Sequence, residues 1–181
     1  YFNEHPSIDA CSVYFEHPLA GKEDDSIYQG ITSYELFLRY YIQAQRYAGL
    51  PHAYHTIGSC MAVTVQAYVE QGGMPTRQAG EDFYFLHKFI AKSSLSELNS
   101  TTVYPSPRPS NRVPFGTGKA ILNWLDQKDK VYLSYDFRTF KDLKYLCLQA
   151  PFLFHCTQLN SFYSQCPLAL KLFLNNSAFD T

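Results

Sequence analysis

The sequence predicts an α/β fold over residues 1–119, part of a mixed sheet with flanking helices, followed by a helical C-terminal appendage over residues 120–181. The prediction rests on the alternation of short β-branched and aromatic runs with helical stripes as far as Tyr104, on Gly and Pro punctuation at each change, and on purely helical periodicity past Lys119. The 181 residues, 46% hydrophobic and 17% charged, suffice for a buried core.

Taken in order, Asp9-Ala10-Cys11-Ser12-Val13-Tyr14-Phe15 reads as a strand, ended by His17-Pro18 and Gly21. The loop that follows carries Glu23, Asp24 and Asp25. From Ile27 to Ala48, apolar residues at Ile27, Ile31, Tyr34, Leu38, Tyr41 and Ala48 make a helical stripe broken at Gln45, with Thr32 or Ser33 as cap and Gly49-Leu50-Pro51 as stop. Residues 51–63 turn extended and end in a strand, Ser59-Cys60-Met61-Ala62-Val63, after which Thr64 caps a brief helix closed by Gly72-Gly73. Gly80-Glu81-Asp82 opens the next helix, on which Phe83, Leu86, Phe89 and Ile90 recur and whose positive end holds both carboxylates. Thr101-Thr102-Val103-Tyr104 reads as a strand. Pro105, Pro107, Pro109 and Pro114 with Gly116 and Gly118 then enforce an irregular loop. Residues 119–126, 137–150 and 167–174 read as helices.

Composition excludes several functions. Fifteen Lys and Arg against sixteen Asp and Glu give a net charge of -1, leaving no basic excess for a nucleic-acid backbone, so nucleic acid is not an expected partner. No apolar run approaches the roughly 20 residues of a membrane span, and the start lacks a signal-peptide layout. The first residue is Tyr1 and the only methionines are Met61 and Met74, so an upstream portion is expected. Five cysteines, Cys11, Cys60, Cys147, Cys156 and Cys166, stand apart in apolar runs with no C-x-x-C pair, as expected of buried free thiols in a reducing, cytoplasmic setting. Tyr and Phe number 15 and 14; most must pack, and amphipathic Tyr rings also line sugar or peptide sites.

Three groups of residues could carry chemistry. Glu81-Asp82 puts carboxylates at a strand–helix junction, where α/β proteins build sites, although the helix dipole alone favours acids there. The segment from Arg108 through Arg112, Gly116 and Gly118 to Lys119 combines cations with freed backbone N–H groups, a composition suited to phosphate oxygens and equally to a surface loop. It is not a Walker A loop, because Val113 and Ala120 stand where Gly and Ser or Thr are required. His52-x-x-His55 could pair two imidazoles on a metal, but Pro51 and the extended run around Tyr54 oppose a helical spacing. Cys60 near His55 has no accompanying oxyanion-hole motif and reads as a buried structural thiol.

Gly58-Ser59-Cys60-Met61-Ala62-Val63-Thr64, then Tyr68 to Pro75 with its Gly72-Gly73, then Gln78-Ala79-Gly80-Glu81-Asp82-Phe83-Tyr84-Phe85-Leu86 together resemble the second half of a family-2 glycosyltransferase, with Met74 in place of the more usual Phe. The likeness covers about residues 9–119 and is most specific over Gly58 to Leu86. It implies a GT-A fold, a nucleotide-sugar donor and a glycan or lipid-linked acceptor. Asp82 then matches the general base of inverting members, with Glu81 beside it. Arg112, Gly116, Gly118 and Lys119, and more weakly Arg108, become candidates for closing over the diphosphate, and His52, His55 and Tyr54 for the acceptor side. The metal-binding Asp-x-Asp of the family is absent here; the resemblance places it upstream, with Mg²⁺ or Mn²⁺ held mostly by residues outside this chain. It implies a cytoplasmic location extending to the inner face of the membrane, and a homodimer or contact with the missing N-terminal half to cover an unpaired sheet edge. The rival expectation is a non-catalytic carbohydrate-binding or scaffold module that kept the acceptor half of the fold. An upstream strand ending in Asp-x-Asp would separate the two.

Overall fold

The computed structural model describes residues 1–77, 79–153 and 159–177, so Gln78 and Cys156 lie outside it. The fold is mixed α/β: a three-stranded mixed sheet with flanking helices, and further helices toward the C terminus. The chain packs as two compact units, one built from Tyr1–Arg39 and Tyr54–Leu133, the other from Tyr40–Ala53 and the residues from Ser134 onward.

In the first unit β1 (Ala10–Phe15) lies between β2 (Met61–Val63) and β3 (Leu95–Val103). It is antiparallel to β2, with Ala10 opposite Val63, and parallel to β3, with Ala10 opposite Leu95 and a register shift between Val13 and Phe15. Burial of β1 on both faces, with Tyr14 alone half-exposed, accounts for its unbroken run of small, β-branched and aromatic residues. Thr64 caps α2 (Val65–Glu70) by accepting a hydrogen bond from the Ala67 N–H at 3.3 Å, as its place before the run predicts. Helices α2 and α3 (Glu81–Ala91) supply Ala67, Phe85, Leu86 and Phe89 to a core completed by Ala10 and Leu95. A second cluster joins Ile27, Tyr28 and Ile31 of α1 (Asp25–Ala48) to Ile121 of α4 (Thr117–Asp126). Trp124 lies against α1 only because residue 30 is glycine; a Cβ there would stand 2.6 Å from the indole Cδ1.

In the second unit Ala44 and Ala48 of α1 pack on Phe140 of α5 (Phe137–Leu153), whose start is fixed by the Asp136 carboxylate accepting from the Arg138 N–H at 2.8 Å. Cys166 and Phe162, with Leu170 and Leu174 of α7 (Leu168–Asn176), form another cluster; Phe162 belongs to the short α6 (Leu159–Gln165).

Several local expectations are corrected. Helix α1 begins at Asp25, with the Asp24 carbonyl accepting from Ile27, and Thr32 lies inside it, its hydroxyl donating to the Tyr28 carbonyl at 2.7 Å. Gly58–Cys60 form a 3-10 turn, so the strand shrinks to Met61–Val63. β3 starts six residues before Thr101, at Leu95. Phe83 faces outward, and the buried stripe of α3 is Phe85, Leu86 and Phe89. Helix α4, placed at the head of the appendage by sequence, contributes to the first unit. Among the described cysteines, Cys11, Cys60 and Cys166 are buried free thiols, while Cys147 is half-exposed.

Candidate functional site

The site grows from one glycine. Gly80 adopts φ 77°, the left-handed conformation that side chains resist, and as N-cap of α3 it turns the chain so that Glu81 and Asp82 form the first helical turn. One Asp82 oxygen accepts from the Phe83 N–H at 2.7 Å, and the carboxylate also accepts from the Gly58 N–H. A Cβ on Gly58 would lie 3.2 Å from Asp82 Oδ2, so the turn before β2 comes this close to the acid because residue 58 has no side chain. Burial pushes the Asp82 carboxyl above the ordinary aspartate value, the backbone donors oppose that rise and the neighbouring Glu81 charge adds to it.

The basic loop reaches the same helix end. Its ends are closed by the Ser110 N–H donating to the Gly118 carbonyl at 3.1 Å, and the Arg112 N–H donates to Ser110 Oγ at 3.3 Å. Gly116, at φ 94°, starts α4. From the loop's tip Phe115 projects to Gly80, where a Cβ would be 3.4 Å from Phe115 Cζ and 3.9 Å from Tyr84 Cε2. Arg108 and Arg112 are exposed and Lys119 is half-buried, and no ion pair or hydrogen bond joins their side chains to a described residue. Gly118 is needed for space: a Cβ would come within 2.5 Å of Ser110 Cβ and 3.0 Å of its backbone nitrogen. Gly118→Ala is therefore expected to open the loop and destabilise the protein by about 1–3 kcal/mol, read by urea denaturation.

Thus the structure brings Gly58, Asp82, Gly80 and the Phe115 loop together. His55 lies in the first unit, its ring edge-on to Phe15 at 5.1 Å and its carbonyl accepting from Ser12 Oγ at 2.6 Å, whereas His52 is exposed in the second. Cys60 is buried, with its thiol pushed up by that burial. In the second unit a groove of about 640 Å³ is floored by Leu143, Leu168, Leu170 and Phe173; none of the residues chosen from sequence lines it.

Sequence reading missed a buried polar network at the base of the basic loop. His17, with no exposed side-chain surface, sets Nδ1 at 2.8 Å from Glu35 Oε2, which also accepts from the His17 backbone N–H at 2.8 Å. Arg39 donates to Glu35 Oε1 at 2.6 Å and to the Phe15 carbonyl at 2.7 Å. Since a carboxylate only accepts, Nδ1 carries a proton, and Nε2 faces the hydroxyl of Thr117, the first residue of α4, at 3.5 Å. Burial alone would raise the Glu35 carboxyl, but the donors from His17 and Arg39 hold it below the ordinary glutamate value. The Glu35–Arg39 spacing, four apart on a helix, was readable; the link to His17 needs the tertiary fold.

No three His, Cys, Asp or Glu side chains among the described residues are grouped to hold a metal ion, so Glu81 and Asp82 do not by themselves fit one. Nor is any helix among the described residues long and apolar enough to cross a membrane. No protein-family model, no curated protein and no solved structure matches the chain.

Proposed function

We propose that this chain is the acceptor-side half of an inverting, family-2-like glycosyltransferase with a GT-A-like sheet, and that Asp82 is its general base. The observation that supports the reading best is the convergence at one helix end of a half-buried carboxylate whose burial raises its proton affinity, the glycine turn before β2 and the tip of a basic, glycine-rich loop. An acceptor hydroxyl is a weak nucleophile. As its oxygen forms a bond to the anomeric carbon, Asp82 takes the proton, and the sugar–phosphate bond breaks on the opposite face with the electron pair leaving on the nucleoside diphosphate. Arg112 and Lys119, with Arg108 further along the loop, would offset the charge of that leaving group, while Gly116 turns the chain into α4 and Gly118 leaves room for Ser110. Donor recognition and any Asp-x-Asp metal site fall outside this chain in the proposal.

The test is turnover of a panel of sugar nucleotides, with Mg²⁺ or Mn²⁺, by the full-length gene product. Transfer or hydrolysis of any donor supports the reading; a folded protein that turns over none favours the carbohydrate-binding module. The pH profile gives an independent check. A base must be deprotonated, so kcat/KM should fall as pH drops through a value above that of an ordinary aspartate, and Glu81→Gln, by removing a neighbouring negative charge, should move that acid limb to lower pH. An acid limb unmoved by Glu81→Gln would detach it from Asp82.

A further inference from the structure

The turn at Gly116, in the middle of the basic loop, has no packing of its own: a Cβ built there would find nothing within 4 Å. Its path therefore depends on the residues either side. Phe115 reaches Gly80 but is 57% exposed, and the Thr117 hydroxyl meets His17 Nε2 at 3.5 Å. The imidazole that Thr117 meets is held rigidly. Both Glu35 oxygens are committed, Oε1 to Arg39 and Oε2 to the Nδ1–H and backbone N–H of His17, and Arg39 also donates to the Phe15 carbonyl. These bonds fix the ring and its tautomer, so a bare Nε2 is presented to Thr117 Oγ1. The His17 side chain has no exposed surface, and the Thr117 hydroxyl is the donor that the described residues offer to Nε2. As a source of stability, an apolar cluster of the same volume would serve as well. What the buried network adds is one directed acceptor at the first residue of α4.

We infer that His17 is a positioning residue for the basic loop: through the Thr117 hydroxyl it locks the start of α4, and so sets Lys119, two residues on, and the Gly116 turn that carries Phe115 to the end of α3. The catalytic meaning of the lock rests on the glycosyl-transfer reading. On that reading it holds the loop in the form that closes over the donor diphosphate, so an unlocked loop binds donor less well and leaves the chemistry at Asp82 as it was.

Thr117→Val, which keeps nearly the same volume and removes the donor, and Thr117→Ser, which keeps the donor, test the lock in the full-length gene product. The ¹⁵N resonance of His17 Nε2 should shift in Thr117→Val and stay parental in Thr117→Ser. Trypsin cleavage between Arg112 and Val113, followed by mass spectrometry, reads the loop itself, since Pro109 protects the bond after Arg108. That cleavage should be about fivefold faster in Thr117→Val and parental in Thr117→Ser, with cleavage after Lys88, inside α3, unchanged. With the preferred donor, Thr117→Val should raise KM about tenfold and leave kcat within about twofold, and Thr117→Ser should restore KM. An unmoved Nε2 resonance, parental cleavage after Arg112 in Thr117→Val, or a rise in cleavage shared by Lys88 overturns the lock. Faster cleavage with an unchanged donor KM, or a loss of kcat in place of the rise in KM, overturns the positioning role. If the parent turns over no donor, the glycosyltransferase reading fails, and the resonance and the cleavage pattern still decide whether His17 locks the loop.

Discussion

Asp82→Asn is expected to lower turnover of the preferred donor by about a hundredfold or more while the protein stays folded. Asparagine keeps the shape of the side chain and one oxygen that can still accept from the Phe83 N–H, so the first turn of α3 should survive. What it loses is the capacity to take a proton. Steady-state rates alongside thermal unfolding check the prediction. Equal rates in parent and variant would remove Asp82 from the chemistry, and loss of folding would show that its caps matter more than its basicity.

The second large effect is on stability. Glu35→Ala should cost about 3 kcal/mol, because it leaves the fully buried His17 Nδ1–H without its acceptor and Arg39 without its carboxylate. The pH dependence has a definite sign. A carboxyl whose folded value lies below its unfolded one contributes stability above the unfolded value and loses it as pH falls through the folded one. The stability gap between parent and variant, measured by urea denaturation, should therefore be full at neutral pH and shrink only as pH drops below the ordinary glutamate value of 4.5. A gap that is constant down through the acid range would mean that the network's contribution comes from packing alone.

Much of the framework was legible because local rules agreed with the tertiary result. The run Ala10–Phe15 could be read as a central strand from its β-branched and aromatic content, and Thr64 and Gly80 marked their helices through capping and backbone conformation. The early part of β3 was illegible for a physical reason: Ser96-Glu97-Leu98-Asn99-Ser100 shows no apolar alternation, since the strand owes its place to parallel pairing with β1 and none of these five side chains is fully buried. Thr32 misled because its hydroxyl can serve either as a cap or as a mid-helix donor, and only the chain's path decides. At the site, Glu81 and Asp82 stood out by position, and the loop cations by composition. That Phe115 would reach Gly80, that Gly58 would sit against Asp82, and that His17 would anchor the start of α4 are contacts between residues far apart in sequence, beyond what spacing encodes.

Helix α1 is made early and completed late. Its final turns bury Ala44 and Ala48 against Phe140, which follows Ala48 by 92 positions (140 − 48). At synthesis rates of about 5–20 residues per second, that apolar helical face waits on the order of ten seconds for its partner to leave the ribosome. β1 faces a similar delay until Leu95 and its neighbours arrive. A nascent chain of this protein should accordingly be a client for holding chaperones over the middle third of its synthesis, and ribosome-bound chains arrested before Phe140 should be cleaved by protease within α1 while those arrested well past α7 are protected.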